Sequence, residues 1–247
     1  MKITNIKMTG DTHGSEFARF HRIQKQVPPF EYWAIIILGD AGFNYFLNEK
    51  DQKAKDYVSY HFPSLVFYCV RGNHEQRPEL IPNMKEEFDP YVQGFVYHEE
   101  SYPNIKYFID GGEYNINGKQ VLVIGGAYSI DKEYRLLNGW QWFPEEQLNE
   151  EERAAIAKKA QGKKYDAVFS HTCPISWEPV DLFLPFIDQS KVDKSMEIWM
   201  DQIKDTFTWD KWFFAHYHTD RQINSKVFLL YKEVVPFSYF FDLDNSV

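Results

Sequence analysis

Apolar residues in the first third of this chain gather into short unbroken runs separated by polar stretches of helical length. Ile3 to Met8, Trp33-Ala34-Ile35-Ile36-Ile37-Leu38 and Leu65-Val66-Phe67-Tyr68-Cys69-Val70 read as strands. Ser15 to Gln26 and residues 49 to 61 read as the helices between them. Continuous apolar strands alternating with helices predict a parallel sheet covered on both faces. In such sheets ligands collect beyond the carboxyl ends of the strands. Asp11, Asp40 and Asn73 fall at those three ends.

The pattern then changes. Ile105 to Asp110, Tyr114 to Ile116 and Gln120 to Gly125 predict antiparallel strands, with Asn117-Gly118 as a hairpin turn. Pro144 to Gln161 predicts a charged helix opened by proline. Tyr165 to Ser170 and Trp212 to Ala215 predict two more strands, with a helix over Lys194 to Lys204. Phe228 to Phe241 predicts a closing strand pair with Pro236 at a bend. The expected fold class is α/β: a two-sheet β-sandwich flanked by helices on both sides.

Composition narrows the class. The chain of 247 residues has 44% hydrophobic and 18% aromatic residues and no obvious linker, which predicts one packed domain over residues 1–247. No apolar run approaches the roughly 20 residues of a membrane span, and no membrane partner is expected. The first eight residues are too short and polar for a signal peptide. The two cysteines, Cys69 and Cys173, imply no disulfide framework, so a cytoplasmic setting is expected. A net charge of −9 disfavours non-specific nucleic-acid binding, which needs a basic face.

Several polar blocks each close an apolar run. They are Asp11-Thr12-His13-Gly14, Gly39-Asp40, Arg71-Gly72-Asn73-His74-Glu75, Ser170-His171 and Ala215-His216-Tyr217-His218. Carboxylate and amide oxygens mixed with imidazole nitrogens suit borderline divalent ions such as manganese, iron or zinc. Asp11 and His13, two residues apart at a strand end, can reach the same ion. Alone, each block is an ordinary turn; their co-occurrence in one order is the signal.

That order resembles the calcineurin-like metallophosphoesterases, from Asp11 to His218, with the segment after Ser170 more similar to bacterial and phage members. The resemblance implies a four-layer αββα catalytic domain and two divalent metal ions, manganese first, with iron, zinc or nickel as alternatives. It implies Asp11, His13 and His218 as ligands of one ion, Asn73, His171 and His216 as ligands of the other, and Asp40 bridging both. It implies His74 as the catalytic histidine and general acid, and Arg71 as a phosphate contact. The implied reaction is hydrolysis of phosphate monoesters or diesters by a hydroxide held between the ions.

Two positions depart from the family pattern. Protein phosphatases follow Gly-Asp with a further Asp that orients the catalytic histidine; here that position is Phe43, and Glu75 is the candidate replacement. Ala215 stands where glycine is common before His216. The expected substrate is a phosphorylated small molecule, nucleotide or phosphoprotein. A Ser/Thr-type protein phosphatase, a nuclease and a non-catalytic binding scaffold are the alternatives. Cys173 beside His171 is expected to be inert, and the acidic run through Glu145-Glu146 and Glu150 to Glu152 to be a solvated helix face.

Overall fold

The computed structural model describes residues 2–15 and 17–242. Met1, Glu16 (within the expected first helix) and residues 243–247 lie outside the described residues. Strands β1 (Ile3–Thr9), β2 (Tyr32–Ile37) and β3 (Leu65–Cys69) pair in parallel, with α1 (Ala18–Gln24) and α2 (Glu49–His61) as their connections. Helix α2 starts at Asn48, whose side chain caps the Lys50 amide. Beyond β3 lie β6 (Ile105–Phe108), β5 (Gly94–Glu99) and β4 (Met84–Asp89), and the two-residue strand Val235–Pro236 closes the opposite edge, giving seven strands.

The second sheet has six strands: β7 (Glu113–Ile116), β8 (Lys119–Ile124), β9 (Lys164–Ser170), β10 (Thr208–Phe214), β12 (Val227–Leu229) and β11 (Arg221–Asn224), in that spatial order. Its central strands β8, β9, β10 and β12 run parallel. Helices α4 (Glu150–Ala160) and α5 (Ser195–Ile203) contribute to its apolar outer layer, and the short α3 (Lys132–Leu137) follows β8.

Alternation along the strands assembles three apolar layers. In β3, Val66 and Tyr68 face the other sheet, whereas Leu65, Phe67 and Cys69 face α1 and α2. In β10, Phe213 joins the central layer while Trp212 and Phe214 pack towards α5. β3 is buried along its whole length and β10 over Trp212–Phe214, which is why those stretches are continuously apolar. The two sheets and their outer helices form the expected sandwich.

Some elements differ from the sequence reading. Residues 105–125 do not form one antiparallel unit: β6 pairs in parallel with β3 in the first sheet, and only β7 and β8 form the Asn117-Gly118 hairpin. Helix α4 begins at Glu150, because Asn149 and Glu152 form a reciprocal capping box that fixes its start. Phe228 to Phe241 is not a strand pair. Its first residues pair with β10, Val235–Pro236 cross to β1 of the other sheet, and Tyr239–Asp242 turn into a short helix, α6. The β4–β5 hairpin carries no clear alternation, since four of the six β4 residues are exposed on a charged sheet edge.

Candidate metal centre

Six loops meet at one rim. Those after β1, β2 and β3 bring Asp11 and His13, Asp40, and Asn73 and His74; those after β8, β9 and β10 bring Ser129 and Arg135, His171, and His216 and His218. All are the carboxyl ends of parallel strands, now from both sheets at once. His13, Asp40, His216 and His218 have φ of 46°, 50°, 69° and 51°. Non-glycine residues seldom occupy that left-handed region, and such strain concentrates at functional sites.

The backbone also makes room. A Cβ on Gly39 would lie 2.0 Å from His171 Nδ1, and one on Gly72 would lie 1.9 Å from Asp40 Oδ1. Both positions demand glycine so that the β2 and β3 loops can approach the ligand side chains.

Side-chain donors converge in two adjoining groups. In the first, His218 Nε2 stands 2.8 Å from Asp11 Oδ2 and 3.0 Å from His13 Nε2. Asp11 Oδ2 is fully buried and, despite that proximity, in no hydrogen-bond geometry with a partner. In the second, His171 Nε2 lies 2.9 Å from Asn73 Oδ1 and 3.6 Å from Asp40 Oδ2. The His216 ring packs edge-on against His171 with centroids 5.0 Å apart. Ligand atoms of His13, Asp40 and His74 also fall within 4.8 Å of one another, so Asp40 adjoins both groups. Oxygen and nitrogen atoms at about 3 Å spacing fit a divalent ion bound at about 2.0–2.2 Å from each.

Hydrogen bonds to neighbouring groups orient the donors. His171 Nδ1 donates to the Leu38 carbonyl at 2.8 Å, which turns Nε2 towards Asp40 and Asn73. The Asn73 amide nitrogen donates to Ser129 Oγ at 2.9 Å, turning its oxygen inward. Ser129 is held in turn by its amide and hydroxyl on Glu146. Glu146 is therefore buried and not part of a solvated helix face, which corrects the sequence reading; it precedes α4.

Electrostatics favour cations. Burial opposes ionisation of Asp11 and Asp40, yet neighbouring imidazoles outweigh it and hold both carboxyls below the usual range, Asp40 well below. Burial likewise pushes His171 down, but Asp40 and Asp11 overcome it and raise the imidazole to about 9. For His216, burial, helped by the nearby His171, outweighs the same carboxylates and lowers it to about 3, so its ring stays neutral. Two buried anionic carboxylates among imidazoles need positive charge beside them, and divalent ions supply it.

His74 sits beside this cluster. Its amide donates to Asp40 Oδ1 at 2.8 Å, and its ring lies against the Arg135 guanidinium and stacks on Tyr45. Burial pushes its pKa down to about 4, with Arg135 adding to the effect and Asp40 opposing it.

Two expectations require correction. Arg71 does not point its guanidinium into the cluster: Nε donates to Asp110 at 2.7 Å and Nη1 to the Glu146 carbonyl at 2.7 Å. That ion pair ties the β3 loop to the connection between β6 and β7. Glu75 does not orient His74; its carboxylate accepts from the amides of Gly42 at 2.8 Å and Gly72 at 3.3 Å and so clamps the β2 and β3 loops together. Phe43 packs against Phe17 and Phe67 in the apolar layer under α1. The group that the sequence reading missed is Arg135, only 1% exposed, on a helix with no evident apolar pattern. Cys173 is buried, and burial raises its thiol well above its ordinary range, which fits the expected inertness.

Comparison with known proteins defines the class. The calcineurin-like phosphoesterase family model matches residues 4–220, most of the chain, and the chain belongs to that family. Hydrolysis of a phosphoester is the class of activity that this membership supports. No curated protein matches the chain. Among solved structures it is similar to a phosphopantetheinyl hydrolase from Mycobacterium tuberculosis, at 13% identity and a TM-score of 0.43, covering 92% of this chain and 88% of the other. At that level the likeness adds nothing to the family assignment. No helix among the described residues is long and apolar enough to cross a membrane.

Proposed function

We propose that this chain is a dinuclear metal-dependent phosphoesterase acting on small phosphorylated molecules. The convergence of Asp11, His13 and His218 with Asp40, Asn73 and His171 at one rim carries that reading. Asp11, His13 and His218 would hold one divalent ion, Asn73, His171 and His216 the other, and Asp40 both. Bound there, the ions would polarise the phosphoryl oxygens and provide a nucleophile at neutral pH.

The chain's own residues then divide the remaining work. Arg135 reaches the space beside His74 that Arg71 does not, and its guanidinium can receive a phosphate oxygen. A phosphate dianion there brings negative charge against His74 and opposes the burial that lowers its pKa, so the imidazole takes up a proton. His74 then delivers that proton to the departing alkoxide, a contribution of about 10²–10⁴-fold. The Asp40–His74 amide hydrogen bond keeps the ring at the edge of the ligand cluster.

Metal analysis of the purified protein, with turnover of p-nitrophenyl phosphate and bis-p-nitrophenyl phosphate under added manganese, zinc or nickel, tests the reading. Asp40→Asn should lose metal and turnover together, whereas His74→Asn should keep metal and lose turnover by about 10²-fold or more. Absence of metal and of turnover of both esters in every metal would leave a non-catalytic scaffold.

A further inference from the structure

A cavity of about 450 Å³ opens from the cluster at Asp40, Asn73, His74, His216 and His218 and runs under the segment after β9. Ligand pockets commonly span about 300–1,000 Å³, so a compact organic group fits. Its walls are apolar and aromatic, formed by Tyr128, Ile130, Leu182, Phe183, Leu184 and Tyr217. Phe183 and Tyr217 stack at 6.2 Å, which gives that wall a flat face. Ile130, Leu182 and Leu184 are 45%, 41% and 46% exposed, so apolar surface borders a site whose chemistry is otherwise ionic.

The cavity also contains carboxylates. Glu178 is paired with Lys194 at 2.7 Å, and Lys194 Nζ lies 4.4 Å from the Phe183 ring centroid. Glu197, on α5, is only 3% exposed, and its Oε1 accepts from the Thr172 hydroxyl at 2.7 Å. Its Oε2 is fully buried with no hydrogen-bond partner among the described residues. A buried unpartnered oxygen costs about 1–3 kcal/mol, more if charged, and a ligand donor would recover that cost.

We propose that this cavity takes the alcohol portion of the substrate, and that the preferred substrates are phosphoesters whose alcohol is a compact apolar body ending in a hydrogen-bond donor, an ammonium or hydroxyl group, received by Glu197. This rests on the phosphoesterase reading. The phosphoryl group lies at the ligand cluster, the apolar body along Phe183 and Leu184, and the donor on Glu197 Oε2. His74 lines the same cavity, which puts the general acid on the leaving-group side.

The experiment compares pentyl, 5-hydroxypentyl and 5-aminopentyl phosphate as substrates of the manganese-loaded protein, with p-nitrophenyl phosphate as reference. At least one donor-bearing ester should exceed pentyl phosphate in kcat/KM by about 10-fold or more, from one hydrogen bond to a charged group. Glu197→Leu should abolish that ratio, Glu197→Gln should reduce it, and Leu184→Ala should lower all three values. Saturation-transfer NMR with 5-aminopentanol and 5-hydroxypentanol gives a readout without turnover. Transfer to the methylenes of the favoured alcohol should be seen with the wild type and weaken in Leu184→Ala. Equal kcat/KM for the three esters, a ratio unchanged in Glu197→Leu and Glu197→Gln, or no transfer from the wild type overturns the inference. Turnover of p-nitrophenyl phosphate in that case keeps the phosphoesterase reading intact, whereas its absence removes that reading as well.

Discussion

The ring of His171 occupies the space where a side chain on residue 39 would begin: a Cβ on Gly39 would come within 2.0 Å of Nδ1 and 2.5 Å of Cγ. Gly39 also has φ of +101°, outside the range that L side chains favour. Gly39→Ala should therefore move His171 out of hydrogen-bond reach of the Leu38 carbonyl and spoil its approach to Asn73 and Asp40. The expected result is at least a 10-fold loss of metal affinity, by titration of the apoprotein, with far-ultraviolet circular dichroism unchanged. Unaltered affinity would show that His171 holds no ion.

Arg71 and Arg135 separate two roles that one arginine was expected to fill. Arg71 is a buried partner of Asp110, so Arg71→Ala leaves a carboxylate without its cation and should cost about 3–5 kcal/mol of stability. Arg135 is ion-paired with Asp131, an acid 41% exposed at its side chain, and turned to His74. Arg135→Ala should lower kcat/KM for p-nitrophenyl phosphate by about 10²-fold, the loss of an electrostatic contact to the transferring group. Urea unfolding and steady-state kinetics on both variants check this. If Arg71→Ala loses turnover without losing stability, the assignment is reversed.

Much of the site was legible because its residues close strands. Asp40 and Asn73 each follow an apolar run that is buried on both faces, and the same holds for His171 and His216, whereas Asp11 follows a mixed strand buried only towards its end. A periodic pattern thus places them at one rim. Arg135 has no such marker: α3 is six residues long, and the residue it buries most deeply is the arginine, while Leu136 and Leu137 are exposed. Glu146 was hidden for a similar reason. An acid in an acidic run reads as solvated, and only the tertiary fold brings Ser129 onto its carboxylate. Arg71 illustrates the converse, since its position in the motif matches phosphate contacts elsewhere, but Asp110, 39 residues away, claims its guanidinium.

Glu197 makes stability depend on pH in a defined window. Burial is the main cause that raises its carboxyl from 4.5 to about 7, with Thr172 partly opposing. Between those values the folded protein keeps a proton that the unfolded chain has released. Stability from this group is therefore full below about pH 4.5, falls as pH rises through about 7 and is level above. The loss amounts to about 3 kcal/mol. Glu197→Gln cannot titrate, so the difference in unfolding free energy between wild type and variant should change with pH in that window and stay flat at pH 8–9. A difference that does not change between pH 4.5 and 7 would place Glu197 in a solvated, ordinary setting.

Metal loading should be visible in stability as well as in turnover. Asp11 and Asp40 are buried anions compensated in the bare protein by neighbouring imidazoles and by the amides of His216 and His74, so a divalent ion binds the folded state in preference to the unfolded chain. At a free concentration a thousand times its dissociation constant, one such ion adds about 4 kcal/mol. For a chain of this length that corresponds to a rise in Tm of about 8–16 °C. Scanning the chelated protein with and without manganese should show the rise, and Asp40→Asn should show little of it. If manganese, zinc and nickel all leave the wild-type Tm where chelation put it, the clustered carboxylates and imidazoles do not hold a metal.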